Sequence, residues 1–235
     1  MSPRPGPLRH TLGVLALLAA TVLAVALFTQ ISDQIHHGAF VPEEYFSYFS
    51  IQTSLANVLA LTAYGLYQLQ SATDSPGLLG LRHALVAYAV VTGSVYNLLL
   101  RDLPPEPGGF VSEIAFPNEV IHVIIPVYLV ADWILSPHGL KLPWWSMLWG
   151  LFYPLAWLAA TLLRGELTGW YPYAFLDPSS GAGWAGVGAH VLGIALFIGA
   201  LLIAGLILNR LYCRLRSGDQ VSPTRTLGAK LTPRL

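Results

Sequence analysis

Six apolar stretches, each close to bilayer length and each bounded by helix breakers, constrain this chain more than any other feature. A membrane-crossing helix takes roughly 20 apolar residues. Thr11–Ile31, Ser47–Leu69, His83–Leu100, Glu119–Leu135, Trp145–Leu163 and Trp184–Leu208 meet that need. Between them lie Pro42, Ser75-Pro76-Gly77, Pro104-Pro105, Pro107-Gly108-Gly109, Pro137, Pro143, Pro172 and Pro178. In hydrocarbon every backbone N–H and C=O must be satisfied within the protein, so such segments fold as helices. The expectation is an all-α, six-helix transmembrane bundle over residues 1–216, with a flexible Pro/Thr/Arg-rich cytoplasmic tail over 217–235. The first stretch is preceded by Arg4 and Arg9 and contains Ala24-Val25-Ala26, as a signal peptide would. Its apolar run exceeds the roughly 7–15 residues of a signal h-region, so a retained helix is preferred.

Composition excludes several classes. The chain is 54% hydrophobic and 10% charged, against about 25% charged residues in soluble domains. Twelve Lys and Arg balance twelve Asp and Glu, and no basic, aromatic stripe points to nucleic acid. Cys213 is the only cysteine, which rules out an intrachain disulfide or a thiolate metal site. No metal or cofactor is implied. Arginine outnumbers lysine, a weak compositional hint of a bacterium.

Charge sets the orientation. With the N-terminus in the cytoplasm, that side receives Arg4, Arg9, Arg82, Lys141, Arg210, Arg214, Arg216, Arg225, Lys230 and Arg234. The outer side receives only Arg101 and Arg164. The positive-inside rule then puts both termini in the cytoplasm. A multi-pass protein of a bacterial inner (cell) membrane is expected.

Polar residues inside the spans carry the functional signal. Ser50, Thr53, Ser54 and Asn57 fall at i, i+3, i+4 and i+7, one face of a helix. Such a stripe is costly in lipid and turns inward. Ser50 and His122 each lie about one turn inside an outer helix end, about 5–8 Å deep at the helical rise. Asn97, Thr161, Arg164 and His190 fall in the same layer, and Asn118 shares a face with His122 at i, i+4. The inner halves read as blander, with Asp132 the main exception.

A hydroxyl and an imidazole at one depth form a candidate nucleophile and base for an ester. Asn118, Asn97 or a hydroxyl of the stripe, Ser54 among them, would supply oxyanion donors. Glu119 is the nearest carboxylate for a third member. The plainer alternative is that these hydroxyls bond their own or neighbouring helices and that His122 is a satisfied core residue.

Three ordered motifs then add a resemblance. Tyr48-Phe49-Ser50-Ile51-Gln52-Thr53-Ser54, Asn118-Glu119-Val120-Ile121-His122 followed by Pro126, and Arg164 through Tyr173 with Phe175-Leu176-Asp177-Pro178 together resemble a bacterial family of six-pass membrane proteins. That family is distantly similar to the androgen-induced and androgen-dependent transmembrane hydrolases of fatty acid esters of hydroxy fatty acids. The resemblance implies an intramembrane lipid-ester hydrolase with a hydroxyl nucleophile and a histidine. By motif position Ser50 takes the place of the family's threonine and His122 that of its histidine. Related sequences read threonine at Ser50 and serine-asparagine at Thr53-Ser54, so Thr53 stays open as the alternative nucleophile.

Other residues have two readings each. Trp170 and its aromatic neighbours form a lid over a lipid entrance, or an interfacial belt. Arg164 contacts a lipid carboxylate or phosphate, or snorkels at its helix end. His36 and His37 are solvated loop histidines rather than a metal pair. Asp132, beside Trp133, is interfacial. Arg210–Arg216 anchors the chain at anionic headgroups, and Cys213 within it is an inert thiol or an acylation site. The functional classes left open are a lipid-ester hydrolase, a non-catalytic protein binding or transporting a small or lipidic ligand, and a haem carrier held by His122 and His190.

Overall fold

The computed structural model of the chain describes residues 5–102, 110–136, 139–180 and 182–218. Its long helices are α1 (Pro7–His36), α2 (Phe49–Gln70), α3 (Pro76–Val95, continued by a π turn over Tyr96–Leu100), α4 (Phe116–Leu135, with a π turn over Val120–Ile124), α5 (Ser146–Thr168) and α6 (Gly183–Gly218). No strand occurs among the described residues. The tail expected from residue 217 lies outside them beyond Gly218.

Five of these helices are long and apolar enough to cross a bilayer, as in an integral membrane protein. The exception is α2, so five of the six expected apolar spans meet that measure. Its 22 residues rise about 33 Å, enough for a span. Its hydropathy is lowered by Ser50, Gln52, Thr53, Ser54, Asn57, Gln68 and Gln70. Most of these face protein: Ser50, Thr53, Ser54, Asn57 and Gln68 are all buried.

Local chemistry sets the helix ends. Pro76 opens α3 behind Ser75, whose Oγ accepts from Leu78 N. Gly169, at φ +71°, closes α5 in the left-handed conformation that glycine adopts without strain. His36 ends α1 and His37 caps it, its Nδ1 donating to Asp33 O at 2.8 Å. Neither histidine is part of a free loop.

α1 lies along α2, and α3 stands at the centre against α2, α4, α5 and α6. Small residues permit the α1–α2 approach: a Cβ on Gly65 would lie 2.8 Å from Gly13 O and 2.8 Å from Leu17 Cγ. Gly65→Leu is therefore expected to destabilise the bundle by about 1–3 kcal/mol through overpacking. Thermal unfolding in detergent reads it, and an unchanged midpoint would contradict this packing.

The end of the bundle away from Ser50 is not bland. Arg82, 5% exposed, forms an ion pair with Asp132, 3% exposed. Arg82 Nη2 also donates to Ser136 Oγ at 3.1 Å, and its guanidinium lies 3.6 Å from the centroid of the Tyr64 ring. Tyr64 in turn bonds Ser136 at 3.1 Å and accepts from Gln68. Two expectations are corrected here. Asp132 is a core residue rather than an interfacial one, because a buried cation faces it. Arg82 belongs to α3 rather than to a loop, because α3 begins at Pro76 and not at His83. Nearby, Asn209 ties α6 to the connection between α4 and α5 through Leu142 N and Leu140 O, and Cys213 is buried with Sγ 3.6 Å from Leu140 O.

Candidate functional site

A cavity of about 510 Å³ opens at the end of the bundle where α2 begins. Its size is that of a small-molecule or single-chain lipid site. Every long helix contributes to its wall. The deeper part is apolar, with Val91 and Val95 from α3, Leu155 and Leu158 from α5, and Ile194 and Ile198 from α6. The polar groups gather around Ser50 and His122, which both line it.

Ser50 stands in the first turn of α2, where backbone N–H groups have no helical acceptor. Tyr48 precedes the helix without a side-chain cap. The phenol of Tyr173 takes that role from outside, accepting from Ser50 N at 3.5 Å. Pro172, which is buried, and a 3-10 turn over Ala174–Leu176 deliver it there from the segment after α5. Burial pushes the Tyr173 phenol up to about 12, with hydrogen bonds to the Ser50 hydroxyl and backbone pulling the other way. Tyr173 is therefore a neutral hydroxyl beside the Ser50 hydroxyl at any physiological pH.

His122 lies in the π turn of α4, 9% exposed. Its Nδ1 is 3.0 Å from Asn118 O. A carbonyl only accepts, so Nδ1 carries a proton, and in the neutral ring the lone pair is then on Nε2. The ring stacks on Tyr96, with 3.9 Å between centroids and 13° between planes. Pro126, four residues on, has no N–H to give His122 O. Asn97 Nδ2 supplies a donor to that carbonyl at 3.1 Å, while also bonding Gly93 O at 2.7 Å. Gly93 makes the approach of α3 possible: a Cβ there would lie 2.7 Å from His122 O. The two π turns among the described residues thus meet at this imidazole, and such turns recur at functional sites.

The expected residues divide clearly. Ser50, His122 and Asn118 line the cavity. Thr53, Ser54 and Asn57 are buried but do not line it. Thr53 Oγ1 donates back to Phe49 O at 2.8 Å, with Ser50 O at 3.2 Å. Asn97 is spent on backbone carbonyls and holds α3 to α4 rather than facing the cavity. Arg164 and Trp170 form an outer layer: the guanidinium lies 4.3 Å from the Trp170 ring centroid and donates to Ser47 Oγ at 2.5 Å. Trp170 meets Tyr48 edge-on, and Tyr48 lines the cavity. His190 is exposed, bonds Gly186 O at 2.9 Å and stacks behind Phe175. It does not share the cavity with His122 as a second axial ligand would. Glu119 is paired with Arg101 at 2.7 Å and does not line the cavity.

Gln30, Gln34, Tyr45, Thr92 and Tyr96 line the cavity and were not singled out from the sequence, and Tyr173 entered only with the aromatic motif of the last outer loop. Tyr173 sits 123 positions from Ser50, and no local pattern links them. Thr92 and Tyr96 share a face of α3 at i, i+4, and that spacing was a usable signal. Thr92 Oγ1 is buried and hydrogen-bonds to nothing among the described residues. Comparison with protein-family models, curated proteins and solved structures finds no match to this chain.

Proposed function

We propose that the protein is an intramembrane hydrolase of lipid esters in which Ser50 is the nucleophile and His122 the base. The single observation that carries this reading is that a hydroxyl and an imidazole, from different helices, line one otherwise largely apolar cavity. The resemblance of the Ser50, His122 and Arg164 motifs to the six-pass bacterial family supports it. α2 counts as a sixth span whose polar side chains are turned inward. Both termini then lie in the cytoplasm of a bacterial cell, and the cavity opens at the outer leaflet.

In the proposed reaction His122 Nε2 takes the Ser50 proton as Oγ bonds the ester carbonyl carbon. The carbonyl oxygen becomes an oxyanion. The Tyr173 hydroxyl and the first-turn N–H groups of α2 are the donors nearest to it. The C–O bond to the alcohol breaks, and the imidazolium returns the proton to the leaving alkoxide. Water then repeats the sequence on the acyl-serine and frees the acid. Asn118 O does the orienting that a carboxylate does in a triad.

Purified protein with defined fatty esters tests the reading, comparing wild type with Ser50→Ala and Thr53→Val. Ser50→Ala is expected to abolish turnover. Thr53→Val is expected to leave kcat nearly unchanged, because its hydroxyl is satisfied within its own helix. The reverse pattern would make Thr53 the nucleophile. A folded wild type that binds esters without cleaving them would favour the second reading, a non-catalytic lipid-binding protein, which the cavity alone supports.

A further inference from the structure

We propose that the cavity is selective for uncharged lipids, holding the acyl chain between α3, α5 and α6 and a neutral, hydroxyl-bearing alcohol portion at Gln30, Gln34 and Tyr45. This names the substrate class of the hydrolase site, rests on that reading, and departs from the carboxylate-bearing esters of the distantly similar hydrolases because the lining holds no Lys or Arg.

The lining contains no Lys, Arg, Asp or Glu among the described residues. The ionic groups beside it are engaged elsewhere: Arg101 pairs with Glu119, and Arg164 is held by Ser47 Oγ and the Trp170 ring outside the lining. A carboxylate or phosphate brought inside would lose its hydration without gaining a counter-charge, a cost of several kcal/mol. A neutral hydroxyl or ester oxygen meets donors and acceptors suited to it. Gln30 Oε1 accepts from Tyr45 Oη at 3.0 Å. This leaves the Gln30 NH₂ group to donate, and the half-buried Gln34 adds a second amide one turn further along α1. Thr92 Oγ1, buried at the cavity wall with no hydrogen bond among the described residues, is a donor that suits an acceptor such as an ester carbonyl.

Helix register separates the two ends. Gln30 and Gln34 lie in the last two turns of α1, at the mouth. Val91 and Ile198 lie deeper, since α3 runs toward the mouth and α6 away from it. Seven residues from Val191 to Ile198 span about 10 Å of depth for the chain. Leu155 lines the cavity and is 55% exposed, so the wall opens sideways beside α5, where a lipid can slide in from the bilayer.

The test uses the His122→Ala protein, with Ser50→Ala as a second background should the first not fold, and probes that cannot be hydrolysed. Tryptophan fluorescence reads binding, since Trp157 lines the cavity. A 1-O-alkylglycerol is expected to bind saturably at mildly alkaline pH. The fatty acid of equal chain length is expected to bind at least about tenfold more weakly, and to tighten as pH falls toward the carboxyl range. Gln34→Lys is expected to shift the preference toward the fatty acid. Equal or tighter binding of the carboxylate at alkaline pH would overturn the proposal. Selective binding without any ester cleavage by the wild type would instead sink the hydrolase reading and leave the selectivity standing.

Discussion

His122→Ala is expected to lower kcat for a fatty ester by about 10²–10⁴-fold, the range set by losing a positioned general base. Among the described residues, the lining offers the Ser50 hydroxyl no other proton acceptor of suitable basicity. The Tyr173 phenol is held neutral, and Glu119 is committed to Arg101. The loss should fall on kcat rather than on KM, because the imidazole acts in the transition state. His122→Gln tests the same point with a side chain of similar reach that cannot take the proton. Steady-state kinetics on detergent-solubilised protein measures both, and a change in KM alone would assign His122 to binding.

Arg82→Leu is expected to cost about 3–5 kcal/mol of stability, because it strands the Asp132 carboxylate among buried groups. Asp132→Leu should cost a similar amount by stranding the guanidinium. The double substitution Arg82→Met with Asp132→Leu is expected to recover most of the loss, since a buried pair replaced by apolar groups of similar volume is often neutral. Unfolding midpoints of the four proteins form a cycle that isolates the pair. Additive single losses would mean that the two charges do not face each other. Activity should survive in any variant that folds, since this cluster shares no lining residue with the cavity at Ser50.

Much of this architecture was legible along the chain, and the gaps have physical causes. The stripe from Ser50 to Asn57 revealed its buried face because helical spacing converts sequence offsets directly into angle. Depth arithmetic likewise placed Ser50 and His122 together, since rise per residue is fixed. Depth says nothing of angle about the bundle axis, however. His190 was assigned the right layer and faces away, behind Phe175. Asn97 lies within a π turn, which rotates the helix face relative to the usual spacing and sends its amide to His122 O. Arg82 was counted as an orientation charge, because the positive-inside rule tallies cations and ignores partners. Its partner Asp132 is 50 residues away and has no local signature. Tyr173 was read only as part of an aromatic motif, and its pairing with Ser50 was missed for the same reason: a connection after α5 folds back onto the start of α2, and only the tertiary fold brings them together. The hydropathy of α2 is reduced by polar residues that mostly face protein, and Ser50 is the one of them that lines the cavity, so an inward polar face makes this helix the least membrane-like in composition.

Fluorophosphonate labelling tests the Ser50–His122 pairing most directly, because an activated serine attacks phosphorus without any knowledge of the natural ester. Peptide mapping of the labelled wild type is predicted to place the adduct on Ser50, with labelling greatly reduced in His122→Ala. A folded protein that takes no label, or one that carries it on Thr53, would contradict the account.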